Sequence, residues 1–128
     1  MARRRTHGLT DAELRLMEVL WRDGPAKVSD VVDALPPPAL SYSSVLTTLR
    51  ILERKGYVAH EQLDRAYLYR ALVDRDSAAD SAVGHLVNRF FSNSPVELAL
   101  QLVERDRPSE DELHRLKALI ERYEEDAP

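Results

Sequence analysis

The chain has 128 residues, with 18 lysines and arginines against 22 aspartates and glutamates for a formal net charge of −4, and it has no cysteine. That length makes one folding unit or a small domain with an appendage, and the missing cysteine excludes disulfides, thiolate metal sites and thiol nucleophiles and makes a reducing compartment the natural setting. No apolar run approaches the roughly 20 residues of a membrane span, and Arg3-Arg4-Arg5 is not followed by the apolar segment of a secretory signal, so a soluble, cytoplasmic protein without a membrane role is expected.

The elements are legible in chain order because three helix starts carry a hydroxyl followed three residues later by glutamate. Thr10-Asp11-Ala12-Glu13 opens a first helix, about Thr10 to Arg22, which stops at Gly24-Pro25 and is expected to bury Leu14, Met17, Leu20 and Trp21. A short second helix, about Lys27 to Leu35, ends at the stiff connector Pro36-Pro37-Pro38.

The third helix is the most informative. At about 100° per residue, Val45, Leu49 and Leu52 fall on one stripe, while Ser43, Thr47, Arg50 and Arg54 fall opposite, and Glu53 lies off that outward stripe. A face of hydroxyls and guanidinium groups without an acid suits DNA, because arginine contacts guanine edges or phosphates while serine and threonine donate to phosphates. Gly56 supplies the left-handed residue that ends the helix. Two strand-like runs follow, Tyr57 to Glu61 and Ala66 to Arg70, split by the polar turn Gln62 to Arg65, which predicts a basic hairpin with Arg65 near its tip. Helix, connector, outward-facing helix and hairpin follow the order of a winged helix-turn-helix.

The rest of the chain reads as helix. Between Asp74 and Phe91, Ala79, Ala82, Val83, Leu86, Val87, Phe90 and Phe91 recur at three- and four-residue steps, a longer stripe than the first domain needs to cover. Ser94-Pro95-Val96-Glu97 opens an apolar helix containing Leu98 and Leu102, with proline at its favoured first position. Ser109-Glu110-Asp111-Glu112 opens a last helix, about Glu110 to Glu125, with Leu113, Leu116, Ile120 and Tyr123 on one face. The expected fold is therefore mainly α with a small β-hairpin wing. Residues 1–72 form an N-terminal winged-helix DNA-binding domain and residues 73–128 a helical dimerisation region, with Val83, Leu86, Phe90, Leu98, Leu102, Leu116 and Ile120 on the dimer contact.

Charge follows this division. Residues 1–72 hold 11 basic and 9 acidic side chains, and residues 73–128 hold 7 and 13, so any surface that meets a polyanion belongs to the first half. Arg3 to Arg5 add a basic end able to reach phosphate or a minor groove. The four histidines, His7, His60, His85 and His114, lack metal-site spacing and read as surface or core-edge residues. No serine sits in a recognisable nucleophile turn, so neither catalysis nor a metal or cofactor is expected. The basic wing would equally suit an acidic protein partner, which leaves a winged-helix interaction module without DNA binding as the alternative.

Taken together, Leu9 to Glu13, Val19-Leu20-Trp21, Ser44 to Leu49 with Leu52 and Lys55-Gly56, Arg65 to Tyr69 and Phe91 to Pro95 resemble the penicillinase and methicillin-resistance repressors of the BlaI/MecI type, with their copper-responsive relatives of the CopY type. The resemblance covers about Leu9 to Tyr123. It implies a homodimeric repressor that binds an inverted repeat in double-stranded operator DNA through its winged helix, dimerises through its C-terminal helices and, in sensor-linked members, is inactivated by a protease. Carried over by position, the DNA contacts fall on Ser43, Ser44, Leu46 and Thr47, with Arg65 in the wing. The place of the family's cut, an Asn-Phe bond, is taken by Gln101-Leu102, and the cysteine-rich metal motif of the copper-responsive members is missing.

Overall fold

The computed structural model of the chain describes residues 8–127, so Arg3 to Arg5 and His7 lie outside the described residues. The chain divides into two compact units, Met1–His85 and Leu86–Pro128. The charge-based junction at 72/73 stands at the end of the wing, whereas this division falls later, within a helix.

The first unit is built from α1 (Asp11–Asp23), β1 (Ala26–Lys27), α2 (Val28–Ala34), α3 (Tyr42–Lys55), β2 (Val58–Leu63) and β3 (Ala66–Ala71), and includes most of α4 (Arg75–Phe90). The three strands form an antiparallel sheet in the order β1-β3-β2, which makes the unit a winged helix-turn-helix. The two-residue β1, in which Ala26 pairs with Tyr69 and Lys27 with Leu68, stands where the start of the second helix was expected. Two residues are too few to show an alternating pattern.

The core gathers Leu16, Met17, Leu20, Val31, Val45 and Leu49 with Tyr57 and Tyr69 from the hairpin. On α1 the buried face differs from the expected one. Leu14 is 37% exposed, while Glu13, Leu16, Met17, Val19 and Leu20 are buried. The burying face is centred on positions 13, 16, 17 and 20, the i, i+3, i+4, i+7 set of a helix, and a glutamate at its head disguises its phase. Trp21 is half-buried, packs against the core and donates its indole N–H to the Val73 carbonyl at 2.9 Å.

The termini of the helices follow their local sequences. Thr10 accepts from the Glu13 amide at 3.1 Å while the Glu13 carboxylate accepts from the Thr10 amide at 2.8 Å, a complete capping box. Ser109 and Glu112 repeat it at the start of α6 (Glu110–Asp126). At α5 (Pro95–Arg105) only half of the expected box forms, since Ser94 accepts from the Glu97 amide and no return bond from the Ser94 amide to Glu97 is made. The end of α3 is a Schellman motif: Gly56 stands at φ 90, its amide donates to the Glu53 carbonyl and the Tyr57 amide to the Leu52 carbonyl. That turn drives Tyr57 into the core directly after the helix ends.

Glu13 also makes a buried charge contact between distant elements. It is 3% exposed, and Lys55 Nζ donates to its Oε1 at 2.8 Å. Burial pushes the Glu13 carboxyl up, but the Lys55 ammonium and the Thr10 N–H together outweigh it and hold the carboxyl below its ordinary value of 4.5. A carboxylate with a lowered folded value stabilises the protein above the unfolded value and loses that contribution as pH falls through the folded one.

Replacing Glu13 by glutamine therefore costs roughly 1–3 kcal/mol at neutral pH, less than for a sealed pair because Lys55 is partly open to water. Urea unfolding of both proteins near pH 7 and near pH 3 checks this, with the stability gap expected to shrink once the pH is below about 4.5. A gap of equal size at both pH values would assign the loss to packing and not to the ion pair.

Candidate nucleic-acid interface

The outward face of α3 is set by what its inward face does. Val45, Leu49 and Leu52 are fully buried, and this fixes the rotation of the helix so that Ser43, Thr47, Arg50 and Arg54 are exposed. Behind the helix, Arg15 Nη2 donates to the carbonyls of Pro36 and Pro38, at 2.5 and 2.6 Å, pinning the proline connector that leads into α3 to the side of α1.

The hydroxyls near the start of α3 are partly committed to the helix itself. Ser41 is the N-cap, and its Oγ accepts from the Ser44 amide at 3.1 Å and donates to Ser44 Oγ at 3.0 Å. Thr48 Oγ1 donates back to the Ser44 carbonyl at 2.8 Å. Ser43 lies within 3.4 Å of Ser41 Oγ and is otherwise open, and Thr47 is exposed one turn further on. Leu46 is half-buried and packs against the core, so little of its side chain is offered outward.

The wing is longer than its sequence runs suggested. Pairing extends from Val58↔Ala71 to Leu63↔Ala66, so a two-residue turn, Asp64-Arg65, closes it in place of the four-residue turn expected. Asp64 takes the left-handed conformation at φ 57, which aspartate tolerates better than most residues. Arg65 is exposed at the tip.

Between α3 and β2 lies a hollow of about 430 Å³ lined by Arg50, Glu53, Arg54 and His60. His60 Nδ1 is 2.7 Å from Glu53 Oε1, and its ring packs at a tilt against Tyr67 and Tyr69, with centroids 4.7 and 5.2 Å away. The expectation of an acid-free face is thus corrected. Glu53 is one turn from Arg50, a neighbouring position on the helix surface, and its carboxylate borders both arginines while it holds the wing's histidine. His60 itself was not anticipated as part of this surface, because its partner lies on another element. Burial raises the Tyr69 phenol above its ordinary value, with the Glu53 carboxylate adding to the shift and Arg50 opposing it.

In the second unit, α5 and α6 bury no residue. Leu86, Phe90, Leu102 and Ile120 are exposed, with Phe90 at 70% and Ile120 at 57%, while Leu98 and Leu116 are half-buried; Val83, which precedes the division, is also exposed. Gln101 is exposed beside Leu102 on α5. A cleft of about 830 Å³ within this unit is lined by Leu102, Val103, Leu116, Leu119 and flanking charged residues.

Comparison with known proteins adds a family. The penicillinase repressor family matches residues 9–122. The chain is 25% identical over 116 residues to the penicillinase repressor of Bacillus licheniformis, covering 90% of this chain and 91% of that protein. It is 20% identical over 117 residues to the methicillin resistance regulatory protein MecI of Staphylococcus aureus (strain N315), covering 91% and 95%. In structure it resembles the DNA binding domain of the repressor BlaI, with a TM-score of 0.50 and 26% identity over 56% of this chain and 89% of that one.

Replacing Arg50 and Arg54 together by alanine is expected to weaken duplex binding and lower the slope of log affinity against log salt by about 1–2, with circular dichroism unchanged. Arg65→Ala in the wing should lower that slope by about 1. Thr47→Ala, by contrast, is expected to change which sequences are preferred. Titrations at several salt concentrations on specific and random duplexes separate these effects, and unchanged affinity for the double arginine variant would remove α3 as the reading element.

Proposed function

The chain belongs to the penicillinase repressor family, and from that premise we propose that it is a sequence-specific DNA-binding transcriptional repressor that acts in the cytoplasm as a homodimer on a palindromic operator. The observation that carries this reading is α3, whose buried Val45, Leu49 and Leu52 turn Ser43, Thr47, Arg50 and Arg54 outward next to a wing tipped by Arg65. In a winged helix such a helix enters the major groove, and its side chains reach base edges while flanking cations meet phosphates. Phosphate contact supplies affinity and salt dependence, and contacts from the exposed hydroxyls and guanidiniums supply sequence preference.

The second unit supports the homodimer. Two amphipathic helices with no fully buried residue within one chain need another apolar surface, since units of about 40 residues or fewer rarely close a core by themselves. A second copy offers the same stripe, and a two-fold interface matches each residue with its counterpart. Two-fold symmetry then presents two reading helices to half-sites about one helical turn apart, roughly 34–36 Å. Val83, Leu86, Phe90, Leu98, Leu102, Leu116 and Ile120 are the residues assigned to this contact.

Release follows from the same arrangement. Cutting or loosening the C-terminal helices separates the two heads and removes the gain of simultaneous binding, often a factor of about 10²–10⁴. Gln101-Leu102 on α5 stands where the family's Asn-Phe cut lies, and because the residues differ a protease of that specificity is not expected to take it, which leaves a signal that loosens the helices as the alternative. Both side chains are exposed in the single chain, and a helix must unwind locally before a protease can take its backbone.

Substituting Leu98 and Leu102 together by aspartate tests the dimer. The half-buried and exposed positions tolerate charge in one chain but not in an apolar interface. The variant should sediment as a monomer at micromolar concentration, keep the fold of the first unit and lose roughly a hundredfold or more in affinity for a palindrome recovered by selection from random DNA. A variant that remains dimeric, or a monomer that binds the palindrome as tightly as the parent, would overturn this assignment.

A further inference from the structure

Building on the DNA-binding reading, we propose that the hollow lined by Arg50, Glu53, Arg54 and His60 seats one backbone phosphate of the DNA on its cationic side, away from Glu53, and that His60 meets it only in its protonated form. The hollow spans two elements, with the arginines one turn apart on α3 and His60 on β2. It lies beside the outward face of the reading helix, where a groove wall would pass.

The requirement for a proton comes from which ring nitrogen is already engaged. Nδ1 of His60 sits 2.7 Å from the Glu53 carboxylate, an acceptor, so Nδ1 carries the hydrogen in either protonation state. Nε2 has no hydrogen-bond partner among the described residues. In the neutral ring Nε2 presents a lone pair, which a phosphate oxygen repels; in the imidazolium it presents an N–H, which a phosphate oxygen accepts. The contact therefore exists for the cation and not for the neutral ring.

The surroundings bear on the same balance. From α3, the Glu53 carboxylate favours a cation at His60, while Arg50 and Arg54 disfavour a third positive charge in a shared hollow. From β3, Tyr67 and Tyr69 pack at a tilt against the ring, their centroids 4.7 and 5.2 Å away. A phosphate placed in the hollow offsets both guanidiniums and adds an acceptor. DNA binding is thus coupled to proton uptake at His60, and affinity declines as pH rises.

The coupling is tested on the full-length protein with a random-sequence duplex of about 24 base pairs, because phosphate contacts do not depend on sequence. Between about pH 6 and pH 8 the wild type is expected to lose up to about tenfold more affinity than His60→Gln, which keeps a donor toward Glu53 but cannot titrate. Imidazole NMR titration supplies an independent readout: the DNA-bound protein should keep the His60 proton to higher pH than the free protein, with His85 and His114 unaffected. Parallel pH profiles for wild type and variant with an unmoved His60 titration would overturn the phosphate seat while leaving DNA binding intact. A variant with altered sequence preference but an unchanged pH profile would do the same, by making His60 a base contact. Absence of duplex binding at every pH would overturn the DNA-binding reading itself, and this inference with it.

Discussion

The fold of the first unit depends on a contact that joins the beginning of its first helix to the end of its third. Glu13 closes the capping box of α1 and, with the same oxygen, accepts the ammonium of Lys55 in the last turn of α3. A lysine near a helix C-terminus already complements that end of the helix dipole, and a glutamate in a first turn complements the other. The pair therefore satisfies two helix ends at once and prevents α3 from sliding or rotating against α1. Arg15 performs a related task two residues further along α1, because its guanidinium holds the carbonyls of the proline connector. Between them, α1 controls both the entry and the exit of the reading helix.

What could be read from the sequence was whatever is decided locally. The caps at Thr10 and Ser109, the glycine that ends α3 and the Val45, Leu49, Leu52 stripe each depend on residues within about one helical turn of one another. The missed features are non-local. Glu13 and Lys55 are 42 positions apart, and a buried acid at the head of α1 made its inward face look as if it began at Leu14. β1 is too short to have a period, and its existence depends on β3 arriving beside it. In the candidate site, the exposure of Thr47, Arg50 and Arg54 followed from periodicity and that of Arg65 from the polar turn, but the Glu53–His60 contact needs the wing to fold back along α3 before the two side chains can meet. Ser44 shows a third kind of limit, since a hydroxyl near a helix start serves cap and ligand equally well on paper, and here it is drawn into the Ser41 cap.

The two units solve the problem of apolar surface in different ways. The first encloses Leu16, Met17, Val31, Val45, Leu49 and two tyrosines with a sheet on one side and helices on the other. The second leaves many of its leucines exposed or half-buried along α5 and α6, so its sequence alone looks no less hydrophobic than a core while those two helices bury no residue fully. Periodicity identifies a sticky face but not what covers it. That is why the stripe through Leu86 and Phe90 was visible in the sequence, whereas what covers it was not.

The tight closure of the wing sets a rule for how its reach can vary. A hairpin with a two-residue turn keeps its strands in register only if it grows by one residue on each strand, and each such step lengthens it by about 3.3 Å. Successive phosphates on one DNA strand are separated by a comparable axial rise, about 3.4 Å. The wing is in effect a ruler graduated in single base-pair steps: adding one residue to each strand would turn the tip's faces over relative to the duplex, and adding two would restore the outward arginine about two base pairs further along. Arg65 at the end of six-residue strands thus marks one division on that ruler.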